Sequence, residues 1–113
     1  MLGLIFAAGE PLEAGTPELI SVKKIWDEGS HNAFTDLLRH QDRWWCTFRE
    51  AENHGPSYGR VRVIVSDDAE EWTSTGLLEE DGTDLRDPKL SVTPDGRLML
   101  MMGGSDLLDG RVY

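Results

Sequence analysis

Three short stretches hold the side chains best suited to chemistry. SHNAFTD, residues 30–36, ends on Asp36; DLRDPK, residues 84–89, contains Arg86 and Asp87; FRE, residues 48–50, sets Arg49 beside Glu50. A carboxyl group such as that of Asp36 can give or take a proton. A guanidinium such as that of Arg86 can hold an anionic group through two parallel N–H donors. Each stretch also has a purely structural reading. Asp36 can cap a strand or close a turn. Arg86 and Asp87 can pair within a turn from which Pro88 leads into a strand. Arg49 and Glu50 can be a solvated strand end. His31 and His54 lie in flanking loops, and no His or carboxylate pair has a ligand spacing, so neither a metal nor another cofactor is expected. The single cysteine, Cys46, excludes an internal disulfide and reads as a small buried hydrophobe.

These residues act together only if regular elements carry them to one place, and the pattern is that of strands. Residues 1–18 form a leader with Gly and Pro at 9–11 and 15–17. ELISVKKIW, residues 18–26, alternates weakly and is a candidate strand. Four stronger candidates follow at 33–40, 43–50, 60–66 and 71–80. In the second, Trp44, Cys46 and Phe48 share one face, with Trp45, Thr47 and Arg49 on the other. In the third, Val61, Val63 and Val65 alternate with Arg62 and Ile64. Period-two alternation, β-branched and aromatic residues, and polar turns between segments predict an antiparallel meander with little helix.

After the turn signal EEDGTD the pattern restarts: KLSVT as a strand, PDG as a hairpin turn, RLMLMMGG as a strand. Leu37 and Leu90 are 53 positions apart, whereas Arg43 and Arg97 are 54 apart because the second turn is one residue longer. A four-strand unit repeating at this spacing predicts propeller blades. The first blade spans about residues 33–80 and an incomplete second blade about 85–113, within a partial β-propeller over 19–113. Propellers use about 4–8 blades, so the chain reads as the front of a longer protein or as a unit that assembles with copies. The alternative is a free-standing β-sandwich or meander.

SDDAEEW, residues 66–72, falls between the third and fourth strands. It resembles the Asp-box of sialidase-type propellers, Ser-x-Asp-x-Gly-x-x-Trp, at Ser66, Asp68 and Trp72. The Asp-to-Trp spacing is one residue short, and Ala69 or Glu70 stands where Gly is usual. In that motif the Asp accepts backbone N–H bonds inside the turn and the Trp packs beneath it. The wider stretches HNAFTDLLRHQDRWWCTFRE, RVRVIVSDDAEEW and DLRDPKLSVTPDGRLMLMMGG, over about residues 19–104, resemble the first blades of sialidase-like, BNR-repeat glycosyl hydrolases.

That resemblance implies a glycan substrate, an exported protein and no cofactor. A glycosidase needs a general acid and a base or nucleophile. A sialidase also needs arginines for the substrate carboxylate. In a propeller these come from the innermost strands, which here are SHNAFTD and DLRDPK. Asp36, Arg86 and Asp87 are therefore the leading catalytic candidates, with Arg49 and Glu50 at the channel rim. Trp44 and Trp45 can stack on a sugar ring, but at least one, and more simply both, read as core. With its second blade incomplete, the chain is expected to have little activity alone. A non-catalytic module that binds carbohydrate or protein is the rival reading.

The net charge of −10 argues against nucleic acid or an anionic membrane surface as partner. Nothing approaches the ~18 apolar residues of a membrane helix. The apolar start lacks a basic region, so no clear signal peptide is read and localisation stays open. The apolar run Leu98–Met102 predicts self-association through the incomplete blade, most simply as a two-fold dimer.

Overall fold

The structure is a computed structural model that describes residues 15–108. Most of the leader and the final GRVY lie outside the described residues. Six strands follow one another: β1 His31–His40, β2 Arg43–Ala51, β3 Arg60–Ser66, β4 Thr73–Leu78, β5 Thr83–Val92 and β6 Leu98–Asp106. β1 to β4 form a four-stranded antiparallel sheet in sequence order, and β5 and β6 form a two-stranded antiparallel sheet. The described residues contain no helix.

Turn chemistry explains the hairpins. Gln41 and Asp42 both have positive φ, 51° and 59°, as a two-residue turn matching the strand twist requires. Between β5 and β6 the longer turn is closed by bonds from Thr93 N to Arg97 O (2.9 Å) and Gly96 N to Thr93 O (2.8 Å), with Gly96 at φ 83°.

Residues 15–27 form no strand, although alternation favoured one over 18–26. The segment is extended but has no ladder partner. Its end nevertheless packs: Ile25 and Trp26 lie against the cluster of Cys46, Phe48 and Ile64, which Trp72 also borders. Trp26 is further held by Glu50 (Nε1 to Oε2, 3.3 Å) and by the Arg62 guanidinium 5.2 Å over its ring. Lys23 reaches Glu70 at 2.7 Å.

The opposite face of the first sheet receives the second. Val61, Val63 and Val65 share that face with Thr47 and Arg49 through direct cross-strand pairing. β5 lies across it with Asp84, Pro88 and Leu90 buried. Two bonds stitch the sheets: Leu85 N donates to Gly59 O at 3.0 Å, and Leu90 N donates to the Asp36 carboxylate at 2.7 Å.

β5 is longer than KLSVT because it runs back through DLRDPK. A bulge makes this possible: Asp87 and Pro88 stand opposite one residue, Met102, between the pairs Arg86↔Gly103 and Lys89↔Met101. Proline donates no ladder bond and is tolerated where the ladder is interrupted. β1 carries the same defect, with Phe34 and Thr35 opposite Phe48 between Ala33↔Arg49 and Asp36↔Thr47. Phe34 (φ 58°) and Asp87 (φ 48°) are the left-handed residues of the two bulges, and they are 53 positions apart. Phe48 and Met102 are 54 apart. The second hairpin thus repeats the first, defect included.

Candidate functional site

Arg49 and Glu50 are adjacent on β2, so their side chains leave the sheet on opposite faces. Both are buried, not solvated. Glu50 faces the Trp26 side, where Arg62 donates through Nε (3.1 Å) and Nη2 (3.0 Å) and Arg60 through Nη2 (3.1 Å). The bonds from Arg62 hold its carboxyl below the ordinary range, against the opposing effect of burial, with the charge of Arg62 and the bond from Trp26 adding to them. Glu50 is a locked ion-pair member on the wall of a separate cleft with Glu28, Tyr58 and Glu79.

Arg49 faces the second sheet. Its Nε donates to Asp84 Oδ1 at 2.8 Å, Nη1 to Asn53 O at 2.9 Å, and Nη2 to Ser57 Oγ at 3.0 Å and Gly55 O at 3.3 Å. One guanidinium therefore ties β2, the 52–59 loop and β5 together. Asp84 turns its other oxygen to Arg86, whose Nε lies at 2.7 Å. Arg86 Nη2 donates to Gly55 O (3.0 Å) and His54 O (3.4 Å). Arg86 is thus paired two residues back along its own strand, where period two puts both side chains on one face. It does not pair with Asp87.

Gly59 permits this approach. A methyl group there would overlap the Asp84 carboxylate and come within 2.5 Å of Arg49 Nε and 2.8 Å of Leu85 O. Beside the cluster opens a cleft of about 480 Å³ lined by His54, Gly55, Pro56, Asp84, Arg86, Asp87 and Gly103 to Ser105. Arg86 is partly exposed there, and the exposed Asp87 stands at the rim on its bulge. The His54 ring is braced by His31 and Phe34, each 5.4 Å away between centroids. Two guanidinium groups share one buried carboxylate, and Asp87 at the rim balances the remaining positive charge.

The sequence candidates separate into three places. Arg86 and Asp87 line the cleft, and Arg49 lies beneath it. Asp36 is half-buried and accepts the Leu90 amide, so it serves as a tie between sheets. Glu50 is on the far side of the first sheet. Trp44 and Trp45 are half-buried at the other end of β2, each under an arginine (Arg39 at 5.2 Å, Arg43 at 5.7 Å). Cys46 is buried, and desolvation, aided by the Asp36 charge, pushes its thiol up to about 11. Among the described residues no group of three or more His, Cys, Asp or Glu is placed to hold a metal ion.

Ser66 and Asp68 close the β3–β4 turn. Asp68 Oδ1 accepts from Glu70 N (2.8 Å) and Glu71 N (2.9 Å), and Ser66 Oγ accepts from Ala69 N (2.9 Å). Backbone N–H donors hold the Asp68 carboxyl below its usual range. Trp72 is half-buried rather than buried, bonded through Nε1 to Ala69 O at 3.2 Å. The turn lies away from the cleft.

Sequence reasoning missed Asp84, Gly59 and the carbonyls of the 53–55 loop. Asp84 had a signal, two residues before Arg86 in a segment already marked as chemical. The loop carbonyls had none, because only the folded register brings them to Arg49. Comparison with protein-family models, with curated proteins and with solved structures gave no match to this chain.

Proposed function

We propose that the chain builds blades of a sialidase-like β-propeller and that its cleft binds an anionic sugar through Arg86. The β1–β4 sheet would be one blade, and β5 and β6 the inner strands of the next. The observation that supports the blade reading is the repeated bulge, which gives two successive sheets the same first strand. For the ligand, the support is Arg86. It is oriented by Asp84 and two loop carbonyls and opens onto the cleft. A carboxylate-bearing sugar fits that chemistry through Arg86 Nη1, the guanidinium nitrogen left for a ligand once Nε is held by Asp84 and Nη2 by the loop carbonyls.

The geometry favours binding over turnover by these residues alone. Hydrolysis needs two carboxyls placed about the scissile bond and free to transfer protons or attack. Asp84 is held between two arginines and Asp36 by the Leu90 amide, which leaves Asp87 as the one open carboxylate lining the cleft among the described residues. A carbohydrate-binding module without catalysis is therefore the second reading, favoured by that single free group.

Titration calorimetry with N-acetylneuraminic acid and with neutral N-acetylglucosamine separates the cases from no binding at all. The expected result is a weak association, about millimolar, with the acidic sugar only, and its loss in Arg86→Met. Equal response to both sugars, or an unchanged response in Arg86→Met, contradicts the assignment. A fluorogenic sialoside assay then distinguishes the two readings: turnover abolished by Asp87→Asn establishes the enzyme.

A further inference from the structure

The interface between the two sheets has a giving side and a receiving side, and the repeat supplies each of them twice. Leu90 on β5 is the giving side, and only 9 % of it is exposed. Thr47 on β2, with Leu38 and Trp45, belongs to the receiving face, and Thr47 is fully buried. The equivalent of Leu90, 53 positions earlier, is Leu37, which is 54 % exposed. The equivalent of Thr47, 54 positions later, is Met101, also 54 % exposed, and Met99 stands where Trp45 does. One half of the same contact is therefore bare at each end of the stack. The segment carrying Ile25 and Trp26 covers Cys46, Phe48 and Ile64 but leaves Leu37 open.

We infer that the bare faces are complementary and that the partner is a second copy of this chain, docking head to tail. β1 of one copy, led by Leu37, lies on the Met99 and Met101 face of β5–β6 in the next, as β5 lies on the first sheet within each copy. The inference rests on the repeat and is independent of any sugar bound in the cleft. A head-to-tail contact is heterologous, so it builds chains or rings rather than a two-fold dimer. Its polar stitching is poorer than that of the internal interface. Lys89 stands where Asp36 accepts an amide, Gly103 where Arg49 stands, and His31 where Asp84 stands. The contact is consequently apolar and weak, visible at roughly tens to hundreds of micromolar, and strengthened by salt that screens the charge of −10.

Sedimentation of wild type, Leu37→Asp, Met101→Asp and their equimolar mixture tests this. The average mass of wild type should rise with concentration beyond a dimer. Each single variant keeps one good face, finds no complement among its own copies, and should remain a monomer. The mixture should recover one contact per pair and stop at twice the chain mass. A wild type that stays monomeric overturns the inference, as does a single variant that associates as well as wild type, or a mixture that remains monomeric. Far-ultraviolet circular dichroism checks that the variants fold, and Leu37→Ser with Met101→Ser repeats the test should an Asp variant unfold.

Discussion

Asp84 serves two guanidinium groups at once, so replacing it leaves charge stranded in the interior. Removing one partner of a buried ion pair costs about 3–5 kcal/mol, and Asp84→Asn should lose that much by urea unfolding. Against a total of about 5–15 kcal/mol for a domain, such a variant is close to unfolded. Gly59→Ala acts on the same spot by overlap, because its Cβ would meet the Asp84 carboxylate, Arg49 and the Leu85 carbonyl. We expect it to cost about 1–3 kcal/mol. Glu50 gives the pH dependence. Its folded pKa is depressed, chiefly by Arg62. Its stabilisation is therefore full above the unfolded value of about 4.3 and is lost as pH falls through the lower folded value. Urea midpoints measured from pH 7 downwards should drop below pH ~4, and Glu50→Gln should be weaker at neutral pH with a flatter fall in acid. At this scale the sequence identified which residue types matter but not their partners. FRE read as a pair at the channel rim or as a solvated strand end, yet both charges are buried, because their partners come from residues 4 to 35 positions away.

The strands were legible where alternation met a turn signal, and less so where tertiary contact decided the outcome. RWWCTFRE and RVRVIVS lie almost where their periodicity puts them. ELISVKKIW alternates but has no neighbour to bond, so it lies extended and is pinned by Trp26. DLRDPK read either as an inner strand or, because of Pro88, as a turn, and the bulge decides for the strand by admitting the proline into β5. Both bulges hold a non-glycine residue in the left-handed region, at a cost of about 1–2 kcal/mol each. Asp87→Gly should thus hold or raise stability by up to about 1 kcal/mol, after the entropy of the added glycine is counted, while removing the open carboxylate of the cleft. A marked loss of stability would show that the Asp87 side chain carries a structural bond. In the β3–β4 turn, Asp68 satisfies two backbone donors, so Asp68→Ala should lower the denaturant midpoint, by less than Asp84→Asn because the turn is exposed. An unchanged midpoint would mean that those bonds exchange freely with water.

For the molecule as a whole, the repeat visible as two steps, 53 along the first strands and 54 along the second, is present in the fold down to the bulge. Spacing alone could reveal it because hairpin register and turn length are local properties. How the two units face each other was not legible, since it depends on the Arg49–Asp84 pair and on two bonds between distant backbone and side-chain groups. The cleft, the ion cluster and the exposure of Leu37 and Met101 on the outer faces all follow from that docking of the second sheet on the first. It is tested most directly by amide hydrogen exchange at Leu85 and Leu90, whose N–H groups donate to Gly59 O and to Asp36. The account predicts that both exchange as slowly as the central β2 amides, and that both lose protection together in Asp84→Asn. Rapid exchange of Leu85 and Leu90 in the wild type, with β2 still protected, would show that the two sheets do not dock as described.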